Sequence, residues 1–167
     1  MGTAAAVQPR PQLKFAPRPA AKARKRIAFV CVGNSCRSQM AEAWARHLVG
    51  DKVEVMSAGI SPLGFITEET IEVMQEKNIS LEGQTSKGLE AIDWQRVDVL
   101  VNMTLLPGRS VVPSFAGQRL HWNVRDPYGE PIRVYRRVRD QLERKVKQLL
   151  AELEASSTGG PATPPVS

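Results

Sequence analysis

The chain has 167 residues, 42% hydrophobic content and a formal charge of +6, which suits one globular domain with a sizeable core. No run of 18 or more residues is continuously apolar and no apolar signal core follows Met1, so neither a membrane span nor a secretory leader is expected. Arg10, Lys14, Arg18, Lys22, Arg24, Lys25 and Arg26 place +7 in residues 1–26 without any acid, which leaves −1 on the remainder and gives that nearly neutral core no electrostatic reason to bind nucleic acid.

Residues 1–25 are rich in Ala, Pro and basic residues, lack a hydrophobic period and are expected to be a disordered leader. An acid-free, Arg-bearing leader resembles a transit peptide, but Pro9, Pro11, Pro17 and Pro19 would interrupt an amphipathic helix. Ala6 stands where a myristoylation signal carries Ser or Thr. The foldable domain is expected over 26–154. A second disordered tail is expected over 155–167, around Ser156-Ser157-Thr158-Gly159-Gly160-Pro161. Seven of the twelve prolines lie in the two tails, so the core is little interrupted.

Within the core, strand and helix signals alternate. Arg26–Val32 reads as a buried strand around Ile27-Ala28-Phe29-Val30. A helix is predicted from Ser38 to Val49, with Met40, Ala41, Trp44, Ala45 and Leu48 on one face and Gly50 as its stop. Val53–Ser57 is the second strand, and Thr67–Lys77 a second helix carrying Ile71 and Met74, with Asn78 as cap. A short helix over Ser86–Ile92, a strand over Val97–Val101, a short helix after Pro107 and a strand over Arg119–Asn123 follow. The last helix spans Ile132–Glu154, where Tyr135, Val138, Leu142, Val146, Leu149, Leu150 and Leu153 keep the helical step. This alternation predicts an α/β fold with a parallel sheet covered on both faces and right-handed crossovers. Ligands of such sheets bind at the carboxyl ends of the strands. Cys31, after the first strand, and Asp126, after the fourth, are therefore expected on one rim.

Cys31-Val32-Gly33-Asn34-Ser35-Cys36-Arg37-Ser38 joins the first strand to the first helix. Backbone N–H groups at a helix N-terminus attract anions and favour a thiolate placed there. Arg37 offers a planar fork for two phosphate oxygens. Gly33 lets the loop curl around an oxyanion, and Asn34 tolerates a left-handed conformation and can brace the loop. Ser38 can donate its hydroxyl to the Cys31 sulfur. The two cysteines, five apart in one loop, are too few for a disulfide scaffold, and with two scattered histidines they make no zinc set. A reducing cytoplasm suits a protein that depends on a free thiolate. His47 is expected on a helix surface and His121 on a strand, neither of them catalytic, and Trp94 and Trp122 in the core.

The loop resembles the signature of the low-molecular-weight protein-tyrosine-phosphatase family, which includes a branch of arsenate reductases. Val55-Met56-Ser57-Ala58-Gly59 resembles the family's second strand and following loop, and Asp126-Pro127-Tyr128 its general-acid loop. The resemblance implies a three-layer sandwich with a four-stranded parallel sheet in the order 2-1-3-4, flanked by helices. It implies Cys31 as nucleophile, Arg37 as phosphate clamp and Asp126 as general acid. Val32, Gly33, Asn34, Ser35, Cys36 and Ser38 would surround the phosphate, and Tyr128, with Phe65, would wall an aromatic ring. It also implies a reversible Cys31–Cys36 disulfide that protects the nucleophile. No cofactor or metal is implied, and a monomer is expected.

The implied activity is hydrolysis of phosphotyrosine-type aryl phosphates, with phosphotyrosine proteins or small aryl phosphates as substrates. The alternative is arsenate reduction. Ser38-Gln39-Met40-Ala41-Glu42 looks more like the arsenate branch, since the phosphatase branch usually has Pro after the Ser, whereas Tyr128 looks like the phosphatase branch. Thioredoxin-linked reductases use further cysteines downstream, and none follows Cys36, so a reductase here would need an external thiol such as glutathione with glutaredoxin, or mycothiol. Neither tail carries a site residue or a periodic apolar face. Removing residues 1–24 and 156–167 is expected to leave turnover and melting temperature as in the full chain, measured side by side.

Overall fold

The computed structural model describes Gly2 and residues 24–158; the remainder of the two expected tails lies outside the described residues. Seven regular elements alternate: β1 (Lys25–Cys31), α1 (Arg37–Val49), β2 (Val53–Gly59), α2 (Glu68–Gln75), β3 (Val99–Asn102), β4 (Gln118–His121) and α3 (Ile132–Thr158). The four strands form one parallel sheet in the order β2-β1-β3-β4. This is the expected α/β sandwich. The register pairs Cys31 with Gly59, Val30 with Asn102, and Asn102 with His121, so all four strands end at one rim.

β1 is apolar on both faces because both are covered. Ile27, Phe29 and Cys31 face a core shared with Met40, Trp44, Met74, Tyr135, Leu142 and Val146. Ala28 and Val30 face a second cluster with Leu100, Val111 and Phe115. The helices α1, α2 and α3 supply the first covering layer. The second is thin, built from 3-10 turns at Leu89–Ala91, Trp94–Arg96 and Gly108–Ser110. The expected helix over Ser86–Ile92 is thus reduced to a single 3-10 turn at Leu89–Ala91, and a second turn follows at Trp94–Arg96. The chain there stays close to the sheet, with Gly59 N–H donating to the Lys87 carbonyl at 2.9 Å and Trp94 Nε1–H to the Leu89 carbonyl at 3.0 Å. Arg119 of β4 closes this layer by donating to the carbonyls of Gly108 (2.6 Å), Val111 (2.7 Å) and Phe115 (3.1 Å), its guanidinium 5.3 Å from the Phe115 ring centre.

Other boundaries differ in detail. β1 begins at Lys25, inside the expected leader, and α3 continues through Thr158, inside the expected tail. The hydroxyls of Ser156, Ser157 and Thr158 donate back to carbonyls of the preceding turn, which prolongs the helix beyond its last packed residue, Leu153. α1 is buried along Arg37–Ala45, but Leu48, expected on its buried face, is exposed, beside an open groove that it lines with Leu150, Ala151 and Leu153 of α3. In α2 the buried face is Thr70, Val73 and Met74, and Ile71 points outward. Buried Arg139 ties α2 to α3 through the Val73 carbonyl (2.9 Å) and Glu76 (3.1 Å), while its own carbonyl accepts from Trp44 Nε1–H at 3.1 Å.

The rim loop after β1 packs directly on the end of β2. A Cβ at Gly59 would lie 2.6 Å from the Val32 carbonyl oxygen and 2.8 Å from the Asn34 nitrogen, both backbone atoms. Gly59→Ala is therefore expected to destabilise the protein by roughly 1–3 kcal/mol and to distort the loop, read as a lower urea midpoint together with weaker phosphate binding.

Candidate active site

The segment from Cys31 to Cys36 turns its carbonyls outward. The carbonyls of Cys31, Val32 and Gly33 accept from the N–H groups of Ile60 (3.2 Å), Ser61 (2.9 Å) and Leu63 (3.0 Å). The Asn34 carbonyl accepts from Gln39 Nε2–H at 3.0 Å, and those of Ser35 and Cys36 accept from Thr67 N–H (3.3 Å) and Met40 N–H (2.9 Å). In a trans peptide the C=O and the following N–H point opposite ways. The N–H groups of the loop therefore face the side away from these partners, and among the described residues those of Gly33 through Ser38 donate to no protein acceptor. The result is a concave row of donors, continued by the first turn of α1, and suited to an oxyanion.

Asn34 holds that shape. It sits at φ 47° with no exposed surface. Its Oδ1 accepts from Lys87 N–H at 2.9 Å and from Gln39 Nε2–H at 3.0 Å. A backbone N–H can only donate, so the amide orientation is settled. Nδ2 then donates to Ser38 Oγ (2.7 Å) and Ser57 Oγ (3.0 Å), and Ser57 donates to Glu42 Oε2 at 2.8 Å. Buried Glu42 is balanced by Arg46 Nη2 at 2.6 Å. Ser38 Oγ, which accepts from Asn34, also lies 2.9 Å from Cys31 Sγ, where its hydroxyl can donate to a thiolate. Gln39 is further clamped by donating to the Thr85 carbonyl at 3.0 Å and accepting from Gln84 Nε2–H at 2.8 Å.

Arg37 is buried at the far end of the loop. Nη1 donates to the carbonyls of Met103 (2.7 Å) and Val124 (3.1 Å), which follow β3 and β4. Nη2 lies 3.4 Å from Asp126 Oδ2, and Nε has no partner. Asp126 is half exposed, and its Oδ1 accepts from Tyr128 N–H at 3.1 Å. Cys31, Arg37 and Asp126 are thus brought onto one rim. Val32 lies exposed at the mouth, Gly33 lies partly exposed beside Leu63, and Tyr128 and Phe65 are exposed. Ser35 Oγ–H donates to the Phe65 carbonyl at 2.6 Å, so Ser35 braces the neighbouring loop.

Cys36 has polar partners of its own. Its Sγ lies 3.5 Å from Thr67 Oγ1 and 3.9 Å from Tyr135 Oη, while Cys31 is engaged with Ser38. Both thiols are free. Burial pushes the Cys36 thiol above its ordinary value, partly offset by hydrogen bonds from Thr67, Thr70 and Tyr135. Burial likewise pushes Tyr135 up to about 12. His47 and His121 are exposed. Sequence reasoning missed Gln39, Glu42, Ser57, Gln84 and Lys87. The available signal was polar residues within the first turns of an otherwise apolar buried helix.

The low-molecular-weight phosphotyrosine protein phosphatase family profile matches residues 26–158. Arsenate reductase 2 of Bacillus cereus (strain ATCC 10987 / NRS 248) is 41% identical over 127 residues, covering 75% of this chain and 93% of that protein. A solved arsenate reductase in a phosphate-binding state is 35% identical, with a TM-score of 0.70 over 77% of this chain and 98% of that one. The YwlE arginine phosphatase, solved as a cysteine-to-serine mutant with that active-site serine phosphorylated, is 30% identical, with a TM-score of 0.70 over 77% of this chain and 95% of that one. The similarity thus reaches enzymes of two reaction types on one fold, and the chain belongs to the low-molecular-weight phosphotyrosine protein phosphatase family.

Proposed function

We propose that this protein hydrolyses phosphotyrosine-type aryl phosphate monoesters through a cysteinyl-phosphate intermediate. The observation that carries the reading is Arg37: its guanidinium is buried and fixed by two carbonyls, yet Nε is left without a partner at the end of a row of free backbone donors. A buried donor without an acceptor is costly, and a phosphate oxygen would satisfy it. In the first step the Cys31 thiolate forms an S–P bond as the P–O(aryl) bond breaks, and protonated Asp126 gives its proton to the leaving phenolate. In the second, water attacks phosphorus, Asp126 takes its proton, the S–P bond breaks, and inorganic phosphate and the thiolate are released. Arg37 and the loop N–H groups hold the equatorial oxygens in both steps. Ser38 donates to the sulfur and stabilises it as the leaving group of the second step.

Arsenate reduction is the second reading, favoured by the named activity of the relative at 41% identity. Arsenate has the shape and charge of phosphate, so the same cradle would receive it. Its two-electron reduction would draw on an external thiol, because the sequence contains only Cys31 and Cys36. Hydrolysis is preferred because a solvent-facing carboxylate, Asp126, stands 3.4 Å from the Arg37 guanidinium with Tyr128 exposed beside it, a combination that supports a proton donor for an aryl leaving group.

Purified protein is expected to turn over nitrophenyl phosphate, and Cys31→Ser to abolish that turnover while phosphate still binds by calorimetry. Turnover by Cys31→Ser would remove the nucleophile assignment. Faster arsenate reduction with glutaredoxin or mycothiol than aryl phosphate hydrolysis would favour the second reading. Arg37→Lys is expected to lose about 100-fold or more in kcat/KM, since an ammonium cannot match paired oxygens. Asp126→Asn should slow phenyl phosphate far more than an activated nitrophenyl ester, because only the poorer leaving group needs the proton. Equal slowing of the two in single-turnover phosphorylation would take Asp126 out of the mechanism.

A further inference from the structure

Eight large apolar side chains stand exposed among the described residues, and six of them crowd the rim: Val32, Leu63, Phe65, Leu105, Leu106 and Tyr128. They sit on all four loops that leave the carboxyl ends of the strands. Val32 belongs to the cradle itself, Leu63 and Phe65 follow β2, Leu105 and Leu106 follow β3, and Tyr128 follows β4. The other two, Leu48 and Ile71, lie on helices. Exposed apolar side chains scattered singly need no explanation, but a concentration around a polar cleft marks a contact surface.

Leu105 is the extreme member, at 92% exposure. Its loop is firmly braced. Asn102 Oδ1 accepts from Thr104 N–H (2.9 Å) and Oγ1–H (2.6 Å), and Asn102 Nδ2–H donates to the Leu106 carbonyl at 3.1 Å. Thr104 Oγ1 accepts in turn from Leu106 N–H at 3.2 Å. The same loop supplies the Met103 carbonyl that holds Arg37. A leucine displayed on a rigid bracket, two residues from a group that positions the phosphate clamp, is placed to touch whatever carries the phosphate.

We infer that these apolar residues form a collar that docks the polypeptide around the phosphorylated side chain. The preferred substrate is then a phosphotyrosine segment with apolar side chains flanking the phosphotyrosine, with Leu105 and Leu106 on one side of the cradle and Leu63 on the other. The inference rests on the hydrolase reading and extends it to substrate class. A free arsenate or phosphate ion would be enclosed by the cradle and would leave the collar without a role.

The test compares nitrophenyl phosphate with two phosphotyrosine peptides, one flanked by Leu and Val and one by Ser and Gly. Wild-type protein is expected to favour the apolar-flanked peptide, with kcat/KM about tenfold above that of the polar one. Leu105→Ser, and Leu105→Ser combined with Leu106→Ser, should erase most of that preference when each rate is expressed relative to nitrophenyl phosphate. Leu105 is so exposed that its replacement removes no packing, and an unchanged melting temperature checks this. Protein that hydrolyses nitrophenyl phosphate but treats the two peptides alike, or a Leu105→Ser variant that keeps the wild-type preference, overturns the collar and leaves hydrolysis standing. Protein that hydrolyses no aryl phosphate overturns both.

Discussion

The Asn34 side-chain amide is the interaction on which the rest of the site depends. It holds a left-handed residue in a fully buried position and joins four separate stretches of chain. Gln39 and Ser38 lie in the first turns of α1, Ser57 in β2, and Lys87 in the layer beneath the sheet. Each of these contacts satisfies a polar group that burial would otherwise leave unpaired, which is why such a network is cooperative. Its direction matters as much as its existence. Because Lys87 N–H can only donate, the amide has one orientation, and that orientation makes Ser38 Oγ an acceptor from Asn34 while its proton stays available for a thiolate at Cys31.

Arg37 does the corresponding work at the other end of the loop. Its two carbonyl contacts reach the segments after β3 and β4, so the position of the guanidinium reports the packing of the whole sheet rim. Asp126 touches the same guanidinium from the solvent side. Arg37 and Asp126 are thus joined directly, although they come from different ends of the chain. The two thiols, five residues apart, have separate partners. One faces a serine hydroxyl at the cradle, and the other is turned toward Thr67 and Tyr135 with its ionisation opposed by burial.

The chemistry of the cradle is common to phosphate and arsenate, so the cradle by itself does not separate the activities found among the relatives. Features outside it carry the distinction. The number of cysteines governs whether electrons can be relayed within the chain, and the rim governs what organic group fits above the phosphate. Here the rim carries a half-exposed carboxylate, Asp126, with an exposed Tyr128 two residues on and exposed leucines on the loops after β2 and β3.

Local physics made much of this legible. The unbroken apolar run of Ile27-Ala28-Phe29-Val30, the Cys-Arg loop and the helical step of α3 each follow from neighbours in sequence, and the alternation of strand and helix was enough for a parallel sheet with its site at the strand ends. Elements whose form depends on distant partners were less legible. Ser86–Ile92 has a helix-like composition, but hydrogen bonding to β2 and the demand of the sheet for a thin cover hold it as turns. Leu48 and Ile71 fit a helical stripe, yet both are exposed in the packed molecule. The sequence alone determined which groups could perform phosphoryl chemistry. Only the tertiary structure decided that Gln39, Glu42, Ser57 and Lys87 would orient them, because hydrogen bonds across separations of 15 to 53 residues are set by how strands and helices pack and leave no periodic trace along the chain.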